Sequence, residues 1–292
     1  MKIIAFKVFE RTDISFEKIL EHIDCLPYKN RLRTISYSPL RIEKIKRENG
    51  NLFFLDFSKR RNSGPGKMLE DAPMEDFELK DGQGFGEETA ALYDKDTSIL
   101  VMQYNHYGPR ISSISNYFFQ FARELSGKTK QTDDGFNFSA ITKREPADEM
   151  NVASIIKCLE FSIDVPDFSS ESTMKNTSLS KFLDNNLVSG SDTLSVQIRA
   201  SRKRGRSLAV QDIKSAARLL VKEQNIQTLK LKTQEDENSP THVLDLLEAR
   251  LTEEVNLTLG DQQRYPDVVR WTALKRAYYK WSEEGLLPSD TK

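Results

Sequence analysis

The first apolar run, Ile3 to Phe9, reads as a strand. Phe16, Ile19, Leu20, Ile23 and Leu26 then recur at helical spacing behind Ser15, a residue able to cap a helix, and Pro27 ends the run. Ile42–Lys46 and Leu52–Phe57 flank Arg47-Glu48-Asn49-Gly50-Asn51, and an Asn-Gly pair between strand-like runs predicts a hairpin. Residues 58–87 contain Gly64-Pro65-Gly66 and three further glycines, with few buried-type runs, and read as a long loop. Ala90–Tyr93 and Ile99–Tyr104 around Asp94-Lys95-Asp96-Thr97 form a second predicted hairpin. After Gly108-Pro109, the residues Ile111, Ile114, Phe118, Phe121 and Leu125 mark an amphipathic helix, and Phe136–Thr142 a strand.

The second half alternates. Strands are expected at Ile155–Val165, Thr193–Ala200 and Ile226–Thr233, and helices at Leu179–Asn185 and Leu208–Lys222. In the third of these strands Leu229 and Leu231 point inward, whereas Thr228, Lys230 and Lys232 point outward. Val243, Leu247, Leu251 and Val255 predict a helix over His242–Val255. Val268, Trp271, Leu274, Tyr278 and Trp281 predict a last helix over Pro266–Trp281. The pattern describes a mixed α/β chain of the α+β class. N-terminal hairpins pack on two helices in residues 1–150, and a β-α-β-α-β layer with terminal helices follows in residues 151–292.

The length of 292 residues suits two domains, and 38% hydrophobic with 30% charged residues is a globular balance. No apolar stretch approaches the ~20 residues of a membrane span, and the N-terminal run is too short for a signal peptide. Cys25 and Cys158 each sit in an apolar segment and read as buried, unpaired thiols of a reducing cytoplasm.

Candidate chemistry is sparse. The three histidines, His22, His106 and His242, have no Cys or His at zinc-ligand spacing. Asn62-Ser63-Gly64-Pro65-Gly66-Lys67 ends like a phosphate loop, but Arg61 stands where its first glycine belongs and Met68 where Ser or Thr should follow the lysine. No Gly-x-Ser-x-Gly elbow exists. Carboxylates that could hold Mg²⁺ for a nuclease are Asp56 beside Lys59, the set Glu87, Glu88 and Asp94, and the pair Glu160 and Asp164 on one strand face; surface acids are the competing reading. The expectation is a protein that binds rather than transforms its partner, with no cofactor, metal or small-molecule substrate.

Charge distribution changes the picture most. The net charge is −1, yet Arg199–Lys232 holds ten Lys/Arg against two acids, and Glu235–Glu254 holds seven acids against Arg250. Arg199, Arg202, Lys203, Arg204 and Arg206 follow one strand. Lys214, Arg218 and Lys222 recur at spacing four, as an exposed helix stripe would, and Lys230 and Lys232 share a strand face. If loop, helix and strand are neighbours, they form a phosphate-binding patch for duplex DNA with little base specificity. The competing readings are a solvated basic face, a metal-dependent nuclease, and a scaffold whose basic block meets the acidic segment of a second copy. The two tryptophans and two tyrosines of the last helix predict a homodimer built largely by the second half.

The order of elements resembles the RexA family of phage exclusion proteins. The likeness is carried by the N-terminal strand and helix, the hairpin Arg41–Phe57, and the block Gly84-Phe85-Gly86-Glu87-Glu88-Thr89-Ala90-Ala91-Leu92-Tyr93-Asp94. The return strand Ile99–Tyr104, leading through Gly108-Pro109 into a helix, completes it. It covers most of the chain as pattern, more loosely in the second half. The resemblance implies a cytoplasmic, dimeric, sequence-tolerant DNA binder that acts as a sensor in phage defence and signals to a separate effector, a membrane protein in that family. Leu229-Lys230-Leu231-Lys232 matches a basic strand of the family, whereas the larger basic loop Arg202–Arg206 departs from it.

Overall fold

A computed structural model describes residues 1–35, 37–127, 135–143, 150–164, 191, 193–201, 203, 205–222, 226–248, 250–259 and 263–288. The fold is mixed α+β, with two antiparallel sheets. The first sheet contains β1 (Lys2–Glu10), β2 (Arg33–Ile35), β3 (Ser38–Glu48), β4 (Leu52–Arg61), β5 (Phe85–Asp94), β6 (Ile99–Tyr104), β7 (Phe136–Ala140) and β12 (Thr252–Glu254). Its order is β12-β1-β6-β5-β4-β3-β2, with β7 also on β1. Both predicted hairpins are present. Asn49 and Gly50 take positive φ, 53° and 80°, which the β3–β4 turn requires and which Asn and Gly accept most readily. The buried Asp94 organises the β5–β6 turn by accepting from Asp96 N at 3.0 Å and Thr97 Oγ1 at 3.0 Å.

Helices cover both faces of this sheet. On one side lie α1 (Phe16–Cys25) and α3 (Ile111–Ser126), with the short α2 (Tyr28–Arg31) between them in sequence. Ser15 caps α1 through Lys18 N. Phe16 centres this layer, its ring 4.4 Å from Phe118 and 4.6 Å from Tyr93. On the other side α5 (Asp267–Glu283) lays Trp271, Leu274, Tyr278 and Trp281 on Leu52, Phe54, Leu92 and Val101. Its aromatic stripe therefore closes the core of its own chain and is not available as the dimer surface expected from the sequence.

The second sheet has the order β11-β10-β8-β9, from β8 (Ile155–Asp164), β9 (Thr193–Arg199), β10 (Ile226–Gln234) and β11 (His242–Asp245). Helix α4 (Val210–Lys222) covers one face, packing on Leu159, Phe161, Leu229 and Leu231. The helix expected over His242–Val255 is instead two strands. Leu247 packs against the core of the second sheet and Leu251 and Val255 against that of the first, so the four-residue spacing served two different cores, and pairing with β10 and β1 overrode the helical pattern. The helix expected at Leu179–Asn185 lies outside the described residues. Cys158 is buried as expected, but Cys25 is exposed, at the last turn of α1.

A division at residue 150 does not match the way the chain packs. The chain leaves the first sheet after β7, builds the second, and returns at β12 and α5. The two crossings lie side by side on β1. Ile141 N donates to Ala5 O at 2.9 Å, Leu251 N to Ile141 O at 2.7 Å, and Ala5 N to Leu251 O at 3.2 Å. Residues 151–250 are thus an excursion from one body rather than half of a tandem pair.

The position of α5 yields a stability prediction. Trp271 is buried against Phe54 and donates its indole N–H to Leu55 O at 3.0 Å. Trp271→Ala should cost about 3–5 kcal/mol in urea unfolding, the usual range for an aromatic lost from a core; a loss under ~1 kcal/mol would show that α5 is not part of this core.

Candidate nucleic-acid interface and a charged cleft

The face of the second sheet opposite α4 is set by strand register. Lys232 stands beside Cys158, which stands beside Arg199 on β9, with Val243 on the other side of Lys232. One row further, Asp245, Lys230, Glu160 and Gln197 lie in line. Beyond them come Thr228, Ser162 and Ser195. Among the described residues no helix packs on this face. Among the described residues its side chains are cations, acids, hydroxyls, an amide and the buried Cys158 thiol, with one exposed valine and no aromatic ring.

The cations singled out in the sequence separate into groups. Arg199, Lys230 and Lys232 share the open face. Lys203 and Arg206 are exposed in the loop that follows β9, at the same end as Lys232. That loop is tied down by Lys157 Nζ donating to Arg206 O at 2.8 Å, by Leu208 N to Ile156 O at 2.8 Å, and by Gly205, whose positive φ brings its backbone against the Glu237 carboxylate. Arg202 and Arg204 lie outside the described residues.

Lys214 and Arg218 do not join this set. They belong to α4, across the sheet from Lys230 and Lys232. Lys214 is buried rather than exposed and donates to Asn151 O at 2.7 Å, while Arg218 donates to Asn151 Oδ1 at 2.5 Å. Burial, with the Arg218 charge adding to it, lowers the Lys214 pKa. Both residues staple α4 to the chain entering β8. The expected convergence of helix stripe and strand face therefore fails, because the apolar residues that hold α4 on the sheet define the face opposite the lysines. Lys230 is also partly neutralised, with Asp245 at 3.8 Å and Glu160 opposite it.

The sequence did not reveal a second charged site. Strands β3, β4 and β5 run past the start of α5 and leave a cleft of about 830 Å³ lined by Lys44, Asp56, Glu88, Arg264, Asp267 and Arg270, among others. Arg270 is fully buried. Its guanidinium donates to Asp56 Oδ1 at 2.7 Å and Oδ2 at 3.1 Å, to Tyr265 O at 3.1 Å, and lies 3.3 Å from Glu88 Oε2. Arg264 reaches the same Glu88 oxygen at 3.4 Å from the rim. Burial raises the pKa of Asp56 against the pull of Arg270, and burial raises that of Glu88, with Asp56 adding to it. Burial also acts to raise Asp267, but the Lys44 ammonium at 2.6 Å and the Val268 N–H hold it below its usual value.

Two of the carboxylates considered for Mg²⁺ thus do come together, around an arginine rather than Lys59. Among the described residues no group of three or more His, Cys, Asp or Glu side chains could hold a metal ion. Asp94 is taken up by its turn and by Tyr278 O–H, and Glu160 accepts from Gln197 at 2.7 Å. A signal for the cleft existed in the sequence: Arg270 is in register with Leu274, Ala277 and Trp281, on the buried face of α5.

The chain belongs to a family of unknown function, DUF6731, whose profile matches residues 9–283. The match spans both sheets and α5. No curated protein matches the sequence. Among the described residues no helix is long and apolar enough to cross a membrane.

The cleft makes a pH prediction. A carboxyl whose folded pKa is raised contributes stability that is present below its unfolded pKa and is lost as pH rises through the folded one. Glu88→Gln removes that loss and leaves the Asp56–Arg270 pair intact. The stability of the variant relative to the unaltered protein should therefore increase between about pH 4 and pH 7. A difference that stays flat across this range, measured by urea unfolding, would contradict the assignment.

Proposed function

We propose that this protein binds the phosphate backbone of double-stranded DNA, largely without regard to sequence, through the open face and adjoining loop of the second sheet. The observation that carries the reading is the row Arg199–Cys158–Lys232 on a sheet face that no described helix covers, continued by Lys203 and Arg206. The face offers charge and hydrogen-bond donors to phosphates. Among the described residues it has no aromatic platform on which single-stranded bases stack and no helix to enter a major groove, which favours backbone contacts over base readout. Glu160 and Asp245 limit its positive potential, so binding rests on few phosphates and its salt slope is correspondingly shallow.

The likeness to the RexA family extends the reading to a cytoplasmic sensor of phage defence that passes its signal to a separate effector and performs no hydrolysis itself. The alternative of a Mg²⁺-dependent nuclease is weaker, because Asp56 and Glu88 are already engaged by Arg270.

The register separates this reading from a general basic patch. Arg199→Ala with Lys232→Ala should weaken binding to random-sequence duplex and lower the log–log salt slope by roughly 0.9 per lost phosphate contact. Lys230→Ala should have the smaller effect, since Asp245 and Glu160 already compete for it. Lys214→Ala should reduce stability without changing DNA affinity in the folded fraction. Equal losses for Lys230, Lys232 and Lys214, or none at ~50 mM salt, would overturn the assignment.

A further inference from the structure

Between β4 and β5 the chain makes an excursion of its own, residues 62–84. It carries six acids against Lys67 and Lys80, a net charge of −4. The arm is held in shape. Lys67 and Glu75 exchange two backbone hydrogen bonds at 2.7 and 3.0 Å, Phe77 packs edge-on against Phe85 at 5.9 Å, and Arg60 donates to Gly82 O at 3.0 Å. Yet its apolar side chains face outward. Met68 is 86% exposed and Met74 71%, with Phe77 and Leu79 also exposed. An ordered loop that displays two methionines among acids gains nothing for its own core from that display. Such side chains suit an irregular apolar recess, because methionine adapts its shape to what it meets.

The same chain carries a recess of matching chemistry. A groove of about 530 Å³ lies between Val152–Ala153, the end of β10 and the start of β11, and includes Val243 and Leu244. Val152 is 65% exposed and Val243 57%. The surrounding end of the sheet carries Lys157, Arg199, Lys203, Arg206 and Lys232 against Glu235, Asp236 and Glu237, an excess of two positive charges. Asp236 is exposed and holds its own turn, accepting from Asn238 N and Ser239 N.

We propose that the arm of one copy seats Met68 and Met74 in this groove of a second copy, and that the exchange is reciprocal. Each copy presents this arm and this groove, so a two-fold arrangement satisfies both and closes at two copies. Apolar contact supplies the seat, and the acids of the arm meet the basic end of the partner's sheet, so the arm and a DNA duplex compete for Arg199, Lys203, Arg206 and Lys232. This places the dimer contact away from α5, whose aromatic stripe is occupied.

The test uses the full-length protein without nucleic acid, so its failure leaves the DNA reading untouched. Sedimentation velocity at ~10 μM should give a dimer of the 33.5 kDa chain. Met68→Asp with Met74→Asp, and separately Val243→Asp, alter exposed positions and should give folded monomers with unchanged near-ultraviolet circular dichroism. Mixing the two variants should restore dimers at ~100 μM, because the intact arm of one fits the intact groove of the other. A monomeric unaltered protein, a dimer indifferent to either variant, or a mixture that stays monomeric would each overturn the proposal.

Discussion

The second sheet takes its position from three backbone hydrogen bonds on β1. Ala5, Ile141 and Leu251 bond to one another where the chain departs for that sheet and where it returns. β12 and β7 lie end to end along the same edge of β1, and the gap between them is the neck of the excursion. Two crossings fixed side by side, with the bridge between Thr142 and Arg250 beyond them, restrain the second sheet more than a single linker would. Arg250 extends the tie by donating to Val221 O of α4 at 3.3 Å. The direction in which the basic face points follows from this neck.

The neck depends in turn on α5. The helix covers Ile3 and Ala5 of β1 along with the inner strands. Its N-terminal end is fixed by the Arg270–Asp56 pair and by Trp271 on Leu55 O. A buried ion pair adds little net stability, because the desolvation of both charges offsets most of their attraction. It does penalise any other placement of the helix, since sliding α5 would strand a guanidinium and a carboxylate away from water. The charged cleft is in this account a register device for the last helix, and the DNA reading rests on the other sheet.

The hairpins, α1, α3 and the inward–outward alternation of β10 were legible in the sequence because each is written locally, in turn residues or in one unbroken period. The failures share a different cause. His242–Val255 has a helical period, but its apolar residues serve two cores that only the fold brings within reach. Lys214 looked exposed when counted with Arg218 and Lys222, although it is equally in register with Ala217 and Val221 on the packed face. The side chain of a lysine can cross to a carbonyl such as Asn151 O, so charge alone does not mark the solvent side. Asp56 and Arg270 are 214 residues apart, and no local pattern links them. The open face was half legible: alternation gave the direction of Lys230 and Lys232, but the cross-strand acids Glu160 and Asp245 required the register.

The central claim is that DNA meets the helix-free side of the second sheet. Hydrogen exchange on the full chain, with and without random-sequence duplex at low salt, tests it most directly. The account predicts added protection in β9, in the loop through Arg206 and at the C-terminal end of β10, with α4, α5 and the first sheet unchanged. Protection confined to α4 or to the cleft at Asp56 and Arg270, or none under conditions where the duplex is bound, would contradict it.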